Sequence, residues 1–440
     1  MKARILKGFR DYAPAEMLAR QAMLDSVRQV FESFGYEPLH TPALEYAEIL
    51  LGKYGEDGEK LLYKFLDNGG REVALRYDLT VPLARFVAMN PNLRFPFRRY
   101  QIAPVWRAER PQKGRFREFY QCDVDLIGVD SPQADAECIL VDCGVMAALG
   151  LKEYSIQVNH RGFLDGLLEV FQVPASSTVA VLRTMDKVDK IKSEELARQL
   201  MELGLGNDTV TGLMALSTVT GANQERLSQG LALARNNPVA TQAVERLDKV
   251  FALIEAAHPG GHVQFTPSVA RGLDYYTGIV YETFLPARYG VGSVMSGGRY
   301  DTLLGTMARQ EIPAVGISLG IDRLVAALTA AHSETEIKCV TNVLVCTMDE
   351  TEVQAAGIAG LLRRSLPQGK NGIELYPTPA RLKKQFDYAH KRRIPYVVIV
   401  GAEEAQAGKV TLKKMETAQQ VTVSKVELVE LLLAAVSSEQ

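Results

Sequence analysis

The sequence predicts an α+β domain with hairpin-like strands, broken by a helical segment and followed by a small α/β domain. Three observations carry this. Strand-like runs at 72–76, 97–106 and 116–127 read as hairpins instead of βαβ repeats. Residues from about 172 to 250 contain no Phe, Trp or Tyr and are rich in the helix formers Ala, Leu, Glu, Gln and Lys. After 341, strand and helix patterns alternate, which argues for a largely parallel sheet.

Bulk properties narrow the function classes. The 440 residues suffice for about three domains. The formal net charge of −2 gives no global basic field, so any nucleic acid must be held by a local patch. No apolar run approaches the length of a membrane span. The charged N-terminus has no apolar stretch after it, so no signal peptide is expected. Five cysteines (122, 138, 143, 339, 346) without a CxxC pair point to free thiols in a reducing, cytoplasmic setting. The six scattered histidines have no zinc spacing.

Along the chain, Met17, Leu24, Val27, Val30 and Phe31 recur near helical spacing and predict a helix over 15–34, stopped by Gly35. The Pro-containing stretch 36–42 reads as an extended edge segment, because each Pro removes a ladder donor. The helical excursion spans 172–258, inside a domain covering 1–330. A polar linker is expected over 331–341, then a domain over 342–440. In that last part strands are expected at 342–348, 395–400 and 409–414, and helices at 350–365, 379–391 and 425–436.

The most informative stretch is Arg271-Gly272-Leu273-Asp274-Tyr275-Tyr276-Thr277-Gly278. It sets a cation, a carboxylate and two aromatic hydroxyls between strand-like flanks. Burying such groups unpaired would cost a few kcal/mol each, so they are expected to face a cleft. Arginine is concentrated at 94, 98, 99, 107, 110, 115 and 117, with Lys113. A hairpin with Arg107 at its base is an anion clamp or, alternatively, a solvated basic hairpin. On its return strand Phe119, Gln121, Asp123 and Asp125 share one face.

Asp78 and Thr80, two apart, would face one way on a strand, and Asp78 would suit an ammonium group. The competing reading is a helix cap before Val81-Pro82, favoured for Thr80. Arg323, in the first turn of a helix after Gly320, stands at the end that disfavours cations. Either an anion lies before it or it pairs with Asp322 or Glu311. Gly290 and Gly292 read as turns, and Gly297-Gly298 beside Arg299 as room for close ligand approach. There is no Walker A motif.

Together these pieces resemble the class II aminoacyl-tRNA synthetases, and within them the histidyl-tRNA synthetase family. The Pro42 segment resembles motif 1, the hairpin from Arg107 to Asp125 motif 2, and 316–324 with Arg323 motif 3. The 271–278 run resembles the histidine-specific motif.

The resemblance implies a six-stranded antiparallel catalytic sheet, a helical insertion, a C-terminal α/β anticodon-binding domain and a homodimer formed through motif 1. It implies ATP, L-histidine and tRNA(His) as substrates, with Mg²⁺ whose ligands the sequence leaves unnamed. Arg107 would bridge the substrate carboxylate and the α-phosphate. Arg271 would stabilise that phosphate, Arg323 the distal ones, and Glu109 would accept from the adenine amino group. Asp78 and Thr80 would take the ammonium. Gln121, Asp125, Tyr275 and Tyr276 would surround the imidazole, where a carboxylate can reject apolar isosteres by about 10⁴–10⁵-fold. The alternative is the histidine-binding regulatory subunit of ATP phosphoribosyltransferase, a resemblance that implies no anticodon-binding domain. A pseudo-synthetase module beside a kinase is disfavoured, as no kinase motif occurs.

Overall fold

The computed structural model describes residues 2–54, 58–111, 115–188, 191–270, 275–308, 310–331, 339–367 and 372–438. The chain divides into two compact units, Met1–Asp11 with Ala22–Ser333, and Tyr12–Gln21 with Glu334–Gln440.

In the first unit the strands are β1 (Glu37–Pro38), β2 (Leu44–Tyr46), β3 (Lys64–Leu66), β4 (Glu72–Leu75), β5 (Phe97–Trp106), β6 (Glu118–Ile127), β7 (Ser155–His160), β8 (Val263–Phe265), β9 (Ile279–Phe284), β10 (Met295–Arg299) and β11 (Ala314–Gly320). The main sheet has the order β1-β5-β6-β11-β10-β9-β7-β8, while β2, β4 and β3 form a small second sheet. Its six central strands are antiparallel, as expected. One short parallel strand is added at each edge, β1 on β5 and β8 on β7.

The central hairpin pairs β5 with β6 from Phe97↔Ile127 to Trp106↔Glu118. Pro104 lies within it without breaking it. The Trp106 N–H turns away from β6 to the Arg76 carbonyl, and Pro104, two residues earlier, presents its missing donor to that same side. There β1 has ended, and the buried Arg76 guanidinium covers the edge by donating to the carbonyls of Pro104, at 2.9 Å, and Thr41, at 2.6 Å.

Helices supply the rest of the core. Pro14–Ser33 ends at Gly35, whose φ of 79° is the left-handed turn expected of it. Pro132–Ala148 begins with Ser131 accepting from the Ala134 N–H and Pro at its start, and buries ten residues. Between β7 and β8 the described residues are helical, ending in Pro238–Ala257, which Asn237 caps. Leu196, Leu200, Leu213, Leu227 and Leu247 from this stretch join the same apolar core as the sheet. All five cysteines are free.

In the second unit β12 (Thr341–Val345), β13 (Gly372–Leu375), β14 (Tyr396–Ile399), β15 (Lys409–Lys414) and β16 (Gln420–Ser424) form a sheet of order β13-β12-β14-β15-β16. The expectation of a largely parallel sheet is corrected. Pairings of β12 with β13 and β14 are parallel, but β14–β15 and β15–β16 are antiparallel. The connection from β15 to β16 is a tight turn with Ala418 at a φ of 59°, which only antiparallel neighbours can use. Helices Glu352–Ser365, Leu382–Lys391 and Lys425–Ser438 stand where helical patterns were expected. Most of the expected linker at 331–341 lies outside the described residues.

Candidate active site

Alternate residues of β6 build one wall of a cavity of about 290 Å³: Phe119, Gln121, Asp123 and Asp125 all line it. Beside them the sheet is made of glycine. A Cβ on Gly316, which faces Asp125 across the ladder, would stand 2.1 Å from Asp125 Oδ1. A Cβ on Gly297 would stand 2.2 Å from the Gly316 carbonyl oxygen. The close approach expected at Gly297 is therefore to the neighbouring strand as well as to the cavity. Gly290 turns the chain with a φ of 63°.

One part of the cavity is acidic. Asp125 is paired with Arg99, itself fully buried, at 2.5 Å, and accepts from the Tyr300 hydroxyl. Gln121 donates its amide to Ser318 at 2.5 Å, leaving Oε1 without a partner. Neither Asp123 oxygen has a hydrogen-bond partner at good geometry. Burial pushes the Asp123 carboxyl up to about 7, against the pull of Arg99 and Ser318 and with a push from Asp125 and Asp78. Burial also raises Asp78 and Asp125 above the usual carboxylate range.

Asp78 Oδ1 accepts from the Tyr54 hydroxyl at 3.1 Å and from the Val81 N–H at 3.0 Å, and Oδ2 has no partner. The cap expected of Thr80 is thereby corrected. Thr80 is the first residue of the helix Thr80–Met89, and Asp78 supplies the capping oxygen. Tyr275 and Tyr276 stand edge to face at 5.1 Å, and Tyr275 is hydrogen-bonded to Thr80.

The other part is cationic. The Arg107 guanidinium lies 4.3 Å from the Tyr77 ring and 5.1 Å from that of Phe119, and donates to the Tyr77 carbonyl. Glu109 and Arg115 pair at 3.7 Å. Arg323, in the first turn of Ile321–Ala331, donates to the Ser293 carbonyl, while Asp322 accepts from the Tyr120 N–H at 3.0 Å. The arginine-rich stretch thus splits. Arg107 and Arg115 line the cavity, whereas Arg98 pairs with Glu137, Arg99 with Asp125, and Arg117 with backbone carbonyls. Arg271 and Asp274 lie outside the described residues, as does Lys113.

The cavity thus brings Asp78, Thr80, Arg107, Glu109, Gln121, Asp125, Tyr275, Tyr276 and Arg323 together. A model of the histidyl-tRNA synthetase family matches residues 8–324, and an anticodon binding domain model matches 342–435. A histidine–tRNA ligase of Rhodopirellula baltica is 40% identical over 438 residues, 96% of each chain. The chain belongs to the histidyl-tRNA synthetase family. The crystal structure of histidyl-tRNA synthetase from Nostoc sp. PCC 7120 is 30% identical, covers 98% of both chains and superposes with a TM-score of 0.86. An ATP phosphoribosyltransferase regulatory subunit/histidyl-tRNA synthetase from Bacillus halodurans shares the fold, with a TM-score of 0.75 at 23% identity over 88% of this chain and 97% of its own.

Sequence reasoning gave no role in this site to Asp123, Arg99 or Tyr300. Asp123 was legible, standing on the same face as Gln121 and Asp125. Arg99 and Tyr300 carried no local signal, since only the strand register and the fold bring them to Asp125.

Proposed function

We propose that this chain is a histidine–tRNA ligase, activating L-histidine with ATP to histidyl-adenylate and diphosphate, then transferring the histidyl group to the terminal ribose of tRNA(His). The observation that carries the reading is the convergence of two polarities on one cavity: Arg107, Arg115 and Arg323 beside Asp78, Gln121 and Asp125. A zwitterionic amino acid with a polar ring, joined to a polyphosphate, needs both.

The attacking carboxylate is already ionised, so the chemistry calls for positioning and charge neutralisation more than proton transfer. Arg107, its guanidinium against the Tyr77 and Phe119 rings, bridges the histidine carboxylate and the α-phosphate. Arg271 stabilises that phosphate, and Arg323 holds the distal ones. Glu109 accepts from the adenine amino group. The unpartnered Asp78 oxygen takes the ammonium with Thr80, and Gln121, Asp125, Tyr275 and Tyr276 enclose the imidazole.

Mg²⁺ accompanying ATP would neutralise phosphate charge. Mg²⁺ takes one or two carboxylates plus phosphate oxygens. The cavity walls carry Glu282 and Asp322, which fit that mode, and no self-sufficient cluster of three metal-binding side chains occurs among the described residues.

We further propose a catalytic domain over 1–330 with a helical insertion at 172–258, a linker at 331–341, and an anticodon-reading domain over 342–440. Homodimerisation is supported by an open groove of about 680 Å³ lined by Leu44, Tyr46, Ile49, Met89 and Met307, with Phe65 and Leu66 exposed on the same small sheet. A cytoplasmic setting agrees with the free thiols; no described helix is long and apolar enough to cross a membrane. The regulatory-subunit reading is disfavoured by the anticodon-binding match over 342–435.

The test is ATP–diphosphate exchange with a panel of all amino acids. Exchange is expected with histidine alone; exchange with none, or with another amino acid, sinks the reading.

A further inference from the structure

The acid expected to meet the imidazole, Asp125, already has neighbours on both oxygens, although Oδ2 makes no well-formed hydrogen bond. Oδ1 accepts from Tyr300 and Oδ2 lies 2.5 Å from Arg99. The next residue on the same face of β6 is different. Asp123 is 2% exposed, lines the cavity, and makes no well-formed hydrogen bond on either oxygen among the described residues, the Ser318 hydroxyl lying close enough to act on it. A buried carboxyl with both oxygens open is costly, and native sites keep such a group where a ligand completes it.

Its surroundings narrow that ligand. Across the ladders stand Gln101 on β5 and Ser318 on β11. Arg99, Asp125 and Asp78 act on it electrostatically, and it acts in turn on Arg76 and on the Tyr275 and Tyr276 hydroxyls. Gln121, two residues away, has its own acceptor oxygen open. Open acceptors predominate here, on Asp123, Gln121 and Asp78, although Nε and Nη1 of Arg99 are open donors, so a ligand that brings N–H groups fits best.

We propose that Asp123 is a direct substrate contact and a specificity determinant, a second carboxyl accepting from the histidine ring beside Asp125, so that the pocket reads both ring nitrogens. This rests on the histidine-ligase reading above. An imidazole offers donors at two separated nitrogens when protonated, and one donor and one acceptor when neutral. Two adjacent carboxyls serve either case, because Asp123, raised by burial to about 7, can carry its own proton and donate to an unprotonated ring nitrogen. A ring methylated on either nitrogen would leave one of the two acids buried without its partner, and be rejected.

The experiment measures histidine-dependent ATP–diphosphate exchange on the full chain and on Asp123→Asn, with histidine and with its two ring-N-methylated forms. The wild-type protein is expected to discriminate against both methylated forms by at least about 100-fold. Asp123→Asn, close in volume, is expected to raise the histidine KM about tenfold or more, change kcat by less than about threefold, and narrow the discrimination against one methylated form. A purely structural Asp123 would lower exchange with every substrate alike and leave discrimination unchanged, which overturns the proposal. So does an unchanged KM, or wild-type protein that accepts either methylated form within threefold. The wild-type arm holds even if the variant does not fold. Wild-type protein without any histidine-dependent exchange refutes the ligase reading instead.

Discussion

Asp142, on the helix Pro132–Ala148, accepts from the Thr283 hydroxyl through one oxygen and has no partner for the other. Burial holds its carboxyl up at about 7. The unfolded chain releases this proton near the ordinary aspartate value of 3.8. Between those values the folded protein binds the extra proton, so stability falls as pH rises, by at most about 1.4 kcal/mol per unit. Above about 7 the loss is complete. Asp142→Asn removes this slope, so its thermal transition, measured against the wild type, is expected to gain more at pH 8 than at pH 5; an equal shift at both would refute the assignment. Asp123 contributes a slope of the same sign, which its own substitution removes.

At this scale the sequence is legible where chemistry repeats locally. Gln121, Asp123 and Asp125 share a face by alternation alone, whereas Arg99 finds Asp125 only through the register of a ten-residue hairpin. The capping oxygen expected of Thr80 comes from Asp78, because the helix begins at Thr80 itself, before the Val81-Pro82 pair that announces it.

Between elements, one ion network ties the helical segment to the pocket wall. Arg299 at the end of β10 pairs with Asp135 at 2.6 Å and Asp301 at 3.0 Å. Asp301 accepts from the Thr277 hydroxyl at 3.0 Å, directly after Tyr275 and Tyr276. Arg246, from Pro238–Ala257, reaches the same fully buried Asp135 at 2.7 Å. Arg246→Ala leaves that carboxylate to Arg299 alone and is expected to destabilise the fold by about 1–3 kcal/mol. Denaturant unfolding would measure it; a change under about 0.5 kcal/mol would mean that Arg299 suffices. None of this network is visible in composition. A helical segment without aromatics was legible as a helical excursion, but not as the source of a charge placed beneath the specificity motif.

For the whole molecule, the two units are expected to carry separable tasks. The first contains the cavity, and the second matches an anticodon binding domain over 342–435. Removing 342–440 is expected to spare histidine-dependent exchange while reducing tRNA charging at least about tenfold. Undiminished charging would show that the second unit reads no tRNA. Its α/β character was legible from alternating patterns. Its sheet direction was not: β14 and β15, both expected as strands, pair antiparallel across the short connection 400–408, and β16 has no apolar run to announce it.

The glycines beside Asp125 have a consequence for how this enzyme's lineage can change its amino acid. Any first side-chain carbon at 316 collides with Asp125, and any at 297 collides with the backbone of the next strand. Single codon changes on β10 and β11 at these points are closed as routes to a new substrate. Drift in specificity is open instead at side chains that line the pocket, such as Gln121 and Asp123 on β6 or Tyr275 and Tyr276, whereas exchange of Asp125 would strip the buried Arg99 guanidinium of its carboxylate.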